Sequence, residues 1–165
     1  MSEVEATPGI RFLAALLILL PASCGLVLQG LLGIALYSGW RTFGGNTFYM
    51  ITVQLMCCDV YALLLDLYVA FPLTLTGNQY MGEGVVLYYV PLAFEGIAFN
   101  GIFVLSLLLT VNRFLLFIFP NVHRVIFTRR GTKMISLLAW IYVFTLIIAT
   151  NIGGCRKEFS KECKY

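Results

Sequence analysis

Residues 12–40 contain no charged side chain, and neither do residues 134–155. Two further runs between them are nearly as apolar: 42–76 carries only Asp59 and Asp66, and 85–112 carries only Glu95. A helix that crosses a bilayer needs about 20 predominantly apolar residues in succession. The pattern therefore predicts four transmembrane helices, at about 12–37, 48–75, 85–119 and 134–152. The expected fold class is all-α, a polytopic membrane protein with four spans making up a domain at 12–152. Polar segments flank it: a short lead at 1–11 and a charged tail at 153–165.

The breaks between the runs have turn chemistry. Residues 38–47 hold Gly39, Gly44, Gly45 and one positive charge, Arg41. Residues 76–84 are rich in glycine and lack a basic residue, whereas 121–133 form a basic connection with His123, Arg124, Arg129, Arg130 and Lys133. Arg11, the apolar run after it and the small residues Ala22 to Cys24 imitate a secretory signal. The run continues to Tyr37, beyond the roughly 7–15 residues of a signal core, so an uncleaved first helix is expected.

Composition agrees with the pattern. Hydrophobic residues make up 60% of the chain, mean hydropathy is +0.90 and only 12% of residues are charged. Soluble domains carry roughly 25% charged residues, so the lipid bilayer is the expected surrounding. The net charge of +3 does not point to nucleic acid, because the basic residues lie in short connections beside membrane segments. The first and third connections hold Lys or Arg and the second holds none, which places those two connections inside and both termini outside. Basic residues in the two tails pull the other way.

The chemistry available is sparse. Cys24, Cys57 and Cys58 sit in apolar helices as small packing residues. Cys155 and Cys163, in the polar tail, can pair with each other or stay free. A single histidine and no Cys/His spacing give no reason to expect a metal site or a cofactor. An enzyme is not expected either: His123 has no nucleophile or carboxylate at a telling spacing, and no Gly-rich phosphate loop occurs.

The acids inside the spans are the informative polar residues. Asp59 and Asp66 are seven apart, two turns along one helix face. Glu95 precedes Arg113 by 18 residues, five turns or about 27 Å along the helix. An ionised acid at mid-bilayer costs at least ~2.5 kcal/mol, so each should face the bundle or water. The ordinary alternative is an acid that is protonated and hydrogen-bonded inside the bundle, or one at the interface.

Asn112-Arg113-Phe114 closes the third apolar run, and Pro120 follows seven residues after the arginine. This arrangement resembles the end of the third helix in rhodopsin-like G-protein-coupled receptors, where the usual triplet is Asp/Glu-Arg-Tyr. Trp140, 27 residues after Arg113, lies near where that family places its helix-four tryptophan. Leu55-x-x-x-Asp59 and Gly25-x-x-x-Gln29 resemble its motifs in helices two and one, with glutamine in place of asparagine. With Ile126-Phe127-Thr128, Thr132 and Ala139-Trp140-Ile141, the string is most similar to the nematode serpentine chemoreceptors of the Srx class, over about residues 25–163.

The resemblance implies the first four helices of a seven-helix receptor in the plasma membrane. It implies a small-molecule odorant bound near Glu95 and Asp66, and a heterotrimeric G protein, given a full-length receptor, coupled through Asn112, Arg113, Phe114, Pro120 and Asp59. Four helices out of seven also imply a truncated or partial form. Three departures matter. Tyr88 replaces the cysteine usual before helix three, Asn112 replaces the acid that would hold Arg113, and Ile102 stands where a polar residue would complete a sodium site. The competing class is a stand-alone tetraspan protein, a scaffold or a pore or transport subunit, with Asp59, Asp66 and Glu95 around a water path.

Overall fold

The computed structural model of the chain describes residues 8–77 and 90–152. Among these residues all regular structure is helical. Helix α1 spans Pro8–Phe43, α2 Thr47–Leu65, a π-helical turn Asp66–Ala70, α3 Phe71–Thr76, α4 Val90–Ile118, α5 Pro120–Ile126 and α6 Arg129–Ile152. Four stretches are long and apolar enough to cross a membrane: Pro8–Thr42, Thr47–Thr76 (α2, the π turn and α3 in one run), Val90–Ile118 and Arg129–Ile152. The chain is an all-α, multi-pass membrane protein.

Local chemistry sets the boundaries. The Asn46 side chain accepts the Phe48 N–H at 3.1 Å and so caps α2. The π turn arises where Pro72 follows. Proline has no N–H to donate and its ring crowds the carbonyl one turn back, and the wider turn, with the Phe71 N–H reaching back to the Asp66 carbonyl, makes room. Gly77, at φ 68, ends α3 in the left-handed conformation that glycine adopts without strain. Its Cα lies against the Arg11 guanidinium, which ties the start of α1 to the end of α3.

Pro120 breaks the third span. The residue before a proline is pushed out of the helical region, and Phe119 sits at φ −129, ψ 65. The chain then resumes as α5, and α6 begins directly after it, capped by Thr128, whose Oγ1 accepts the Gly131 N–H at 3.1 Å. The stretch read as a basic connection is thus largely helical. Apolar runs mark the lipid-crossing part of a helix and give no sign of a polar helical turn beyond it.

The helices pack in the order α1, α2, α4, α6, with α2 against both α1 and α4. The core is small: Ile51, Cys58, Ala98, Leu105 and Phe127, with Leu55, Ile102 and Trp140 against it. Gly101 sits at a close crossing of α4 with α2 and α6, since a Cβ there would lie 3.2 Å from Cys58 Sγ and 3.4 Å from the Trp140 ring. Small residues at such crossings serve helix association in lipid, where packing replaces the hydrophobic drive. Of the three span cysteines only Cys58 is a packing residue; Cys24 and Cys57 are exposed, a correction to the sequence reading. Large apolar side chains such as Leu28, Phe103 and Leu138 point outward, as they do on a lipid-facing surface.

Candidate functional site

Helices α2 and α4 run antiparallel in one register. Phe48 and Asp66 are 18 residues apart on the second span, and Glu95 and Arg113 are 18 apart on α4. Phe48 meets Arg113 at one end, and Asp66 and Glu95 line the same cavity at the other. The two ends are five helical turns apart, about 27 Å.

The cavity end is the candidate ligand site. A small, partly open space of about 30 Å³ is lined by Leu65, Asp66, Val69, Ala70, Leu92 and Glu95. It holds room for a water-sized group, with two carboxyl-bearing side chains on an otherwise apolar wall and no basic residue. The π turn starts at Asp66, so the irregular backbone and the carboxylate occupy the same place. Beside it Tyr61 donates its hydroxyl to the Pro91 carbonyl at 3.3 Å, and its ring meets Phe94 edge-on at 6.3 Å. Phe94 and Phe99, on either side of Glu95 along α4, are exposed.

Two polar ties cross the middle of the bundle. Gln29 Nε2 donates to Asp59 Oδ2 at 3.0 Å, joining α1 to α2. Trp140 Nε1 donates to Gln54 Oε1 at 2.8 Å, joining α6 to α2. Asp59 is therefore engaged with α1 and is not part of the Asp66–Glu95 cavity. Ile102 packs against the apolar core. Among the described residues no three His, Cys, Asp or Glu side chains gather as a metal site.

At the opposite end, the Arg113 guanidinium lies over the Phe48 ring, 4.5 Å from its centroid, a cation–π contact. The neighbouring residues pair as well. Asn112 is only 2% exposed, and its Nδ2 lies 3.5 Å from Thr47 Oγ1 and 3.4 Å from His123 Nε2. His123 in turn stacks on Phe127 at 5.3 Å. Consecutive residues of α2, Thr47 and Phe48, thus hold consecutive residues of α4, Asn112 and Arg113. Phe114 is half exposed and meets Phe119 edge-on at 6.2 Å, while Pro120 opens α5.

The structure brings Asp66 and Glu95 together, places Asn112, Arg113, Phe114 and Pro120 at the other end, and leaves Asp59 between them. Cys155, Cys163, Tyr88 and Tyr89 lie outside the described residues. Sequence reasoning passed over Thr47, Phe48, Gln54 and His123 as partners. One available signal was the equal 18-residue spacing on the two spans, which marks Phe48 as level with Arg113 once Asp66 is set level with Glu95.

The family model for the serpentine type 7TM GPCR chemoreceptor Srx matches residues 22–164. Neither the curated proteins nor the solved structures contain a significant match to the chain. The family match takes in most of the chain, and the protein belongs to the Srx serpentine chemoreceptors.

Proposed function

We propose that this chain, as an Srx-family chemoreceptor chain, contributes the odorant-binding and G-protein-coupling faces of helices one to four at the plasma membrane. The supporting observation is the shared register of α2 and α4, which sets the Asp66–Glu95 cavity five turns from Arg113. One helix pair then joins a small-molecule site to a coupling site. With the Arg113 end inside, Glu95 and Asp66 face the outer side, where an odorant arrives. Two carboxyl groups on an apolar wall favour a ligand with a small cationic or hydrogen-bond-donating head and an apolar body.

The inner end acts as a lock. Arg113 rests on Phe48 in place of the acidic neighbour that Asn112 replaces, and Asn112 is held by Thr47 and His123. A ligand that draws α2 and α4 into a new relation at the cavity end shifts Phe48 against Arg113 and frees the guanidinium for a heterotrimeric G protein. The family is a seven-helix one, so signalling uses the complete seven-helix bundle.

The test is a response screen in cells that express the chain together with a segment supplying three further Srx spans. The panel contains small amines, neutral isosteres of the same shape, and carboxylic acids. The expected result is a response confined to amines or strong donors and lost in Asp66→Asn/Glu95→Gln. A response to the acids, or one indifferent to both substitutions, contradicts the proposed ligand site.

A further inference from the structure

The geometry points to a second interaction surface: α5 and the first turn of α6 dock on anionic lipid headgroups of the leaflet at the Arg113 end. This rests on the membrane-spanning fold and is independent of the ligand and G-protein roles proposed above.

Three observations converge. First, residues 120–133 contain Arg124, Arg129, Arg130, Lys133 and His123 and not one acid. The four Lys and Arg side chains are all exposed. Second, α5 has a protein-facing side and a separate outward apolar stripe. Phe127, just past its end, is 5% exposed and His123 is half-buried, so this side faces the protein. Val122, Val125 and Ile126 are 44%, 77% and 40% exposed, and at 100° per residue they fall within about 100° of arc, on a different side. A short helix that holds one side against the protein and an apolar stripe outward, with Arg124 on its far side and Arg129, Arg130 and Lys133 just beyond its end, has the pattern of an interfacial helix.

Third, α6 opens with Arg129, Arg130 and Lys133 and has no acid in its first turn. Cations at the positive end of a helix dipole are unfavourable by themselves, and an external layer of anions reverses that sign. Lipid phosphates and serine carboxylates supply such a layer at the depth where the third and fourth spans emerge. Pro120 makes the arrangement possible, because the break at Phe119 lets α5 leave the axis of α4.

The contact reaches the coupling site through one side chain. His123 is on α5 and lies 3.4 Å from Asn112, the residue before Arg113. Anchoring α5 at the membrane surface therefore fixes the position of His123 beside Asn112.

The experiment is hydrogen exchange of the amides of α5 in the full chain, in nanodiscs of phosphatidylcholine alone and of phosphatidylcholine mixed with phosphatidylserine. Amides of α4 serve as the control for an intact fold. The expected result is exchange in α5 slowed at least about tenfold by the anionic lipid, with α4 unchanged. The slowing is expected to disappear in Arg124→Gln/Arg129→Gln/Arg130→Gln/Lys133→Gln, and in the unaltered protein at high salt. The high-salt arm holds the test together should the fourfold variant fail to fold. Equal exchange in both lipids overturns the inference. So does protection that appears only on adding a G protein, which would make this surface a protein contact.

Discussion

Gln29 donates its side-chain amide to the Asp59 carboxylate across 3.0 Å, tying α1 to α2 near the middle of both helices. Both residues stand in motifs that resemble receptor positions, and their bond explains why a polar residue sits in each apolar run. Hydrogen bonds between membrane helices are worth about 0.6 kcal/mol on average and rarely above ~1.7. A double-mutant cycle with Gln29→Leu and Asp59→Leu should give a coupling energy of about 1 kcal/mol in reversible detergent unfolding. Strict additivity of the two substitutions would show that the bond contributes nothing.

Gly101 lies where α4 meets both α2 and α6. Gly101→Ala needs the Cys58 sulfur and the Trp140 ring to give by a few tenths of an ångström and should be mild. Gly101→Leu forces the helices apart and should cost about 1–3 kcal/mol. Thermal aggregation of the detergent-solubilised protein measures this, and equal stability of the leucine variant would remove the close crossing from the account.

The shared register of α2 and α4 can be read by cross-linking in native membranes. Asp66→Cys with Glu95→Cys should form a cross-link with a short bifunctional thiol reagent in a background stripped of other cysteines. Asp66→Cys with Arg113→Cys should not, being separated by about 27 Å of helix. Cross-linking of the second pair in preference to the first would refute the antiparallel register.

Phe48 holds Arg113 through its ring face. A cation–π contact of this kind is worth about 0.5–2 kcal/mol, so Phe48→Leu, which keeps apolar bulk, should raise basal nucleotide exchange roughly two- to thirtyfold in the assembled receptor. Phe48→Tyr should leave it near the starting level. A leucine variant with unchanged basal exchange would show that Arg113 is not restrained there.

Much of this was legible from residue order. Each apolar run exceeds the bilayer threshold, so four spans followed from hydropathy, and the Arg113–Pro120 spacing pointed to the family that the match to residues 22–164 shows. Depth along a helix also placed Glu95 and Arg113 at opposite ends. What hydropathy cannot carry is rotation and pairing. The seven-residue spacing set Asp59 and Asp66 on one helix face, yet Asp59 turns to Gln29 of α1 while Asp66, where the π turn begins, lines the cavity with Glu95 of α4. Helix α5 was hidden for a different reason. Its seven residues begin with a proline and include the polar Asn121, His123 and Arg124, which reads as a loop, and its tertiary contacts come from His123 on Asn112 and from Phe127 in the core just past its end.

Nucleotide exchange on a heterotrimeric G protein, in membranes holding this chain assembled with three further Srx spans, tests the central claim most directly. The comparison is between the unaltered chain and Glu95→Gln, with an amine that is active in the response screen. A charge-assisted hydrogen bond is worth about 1.5–3 kcal/mol, so Glu95→Gln should weaken the amine roughly ten- to a hundredfold while basal exchange through Arg113 stays intact. Equal potency on the two proteins would contradict a ligand site at the Asp66–Glu95 cavity and the coupling along α2 and α4 built on it.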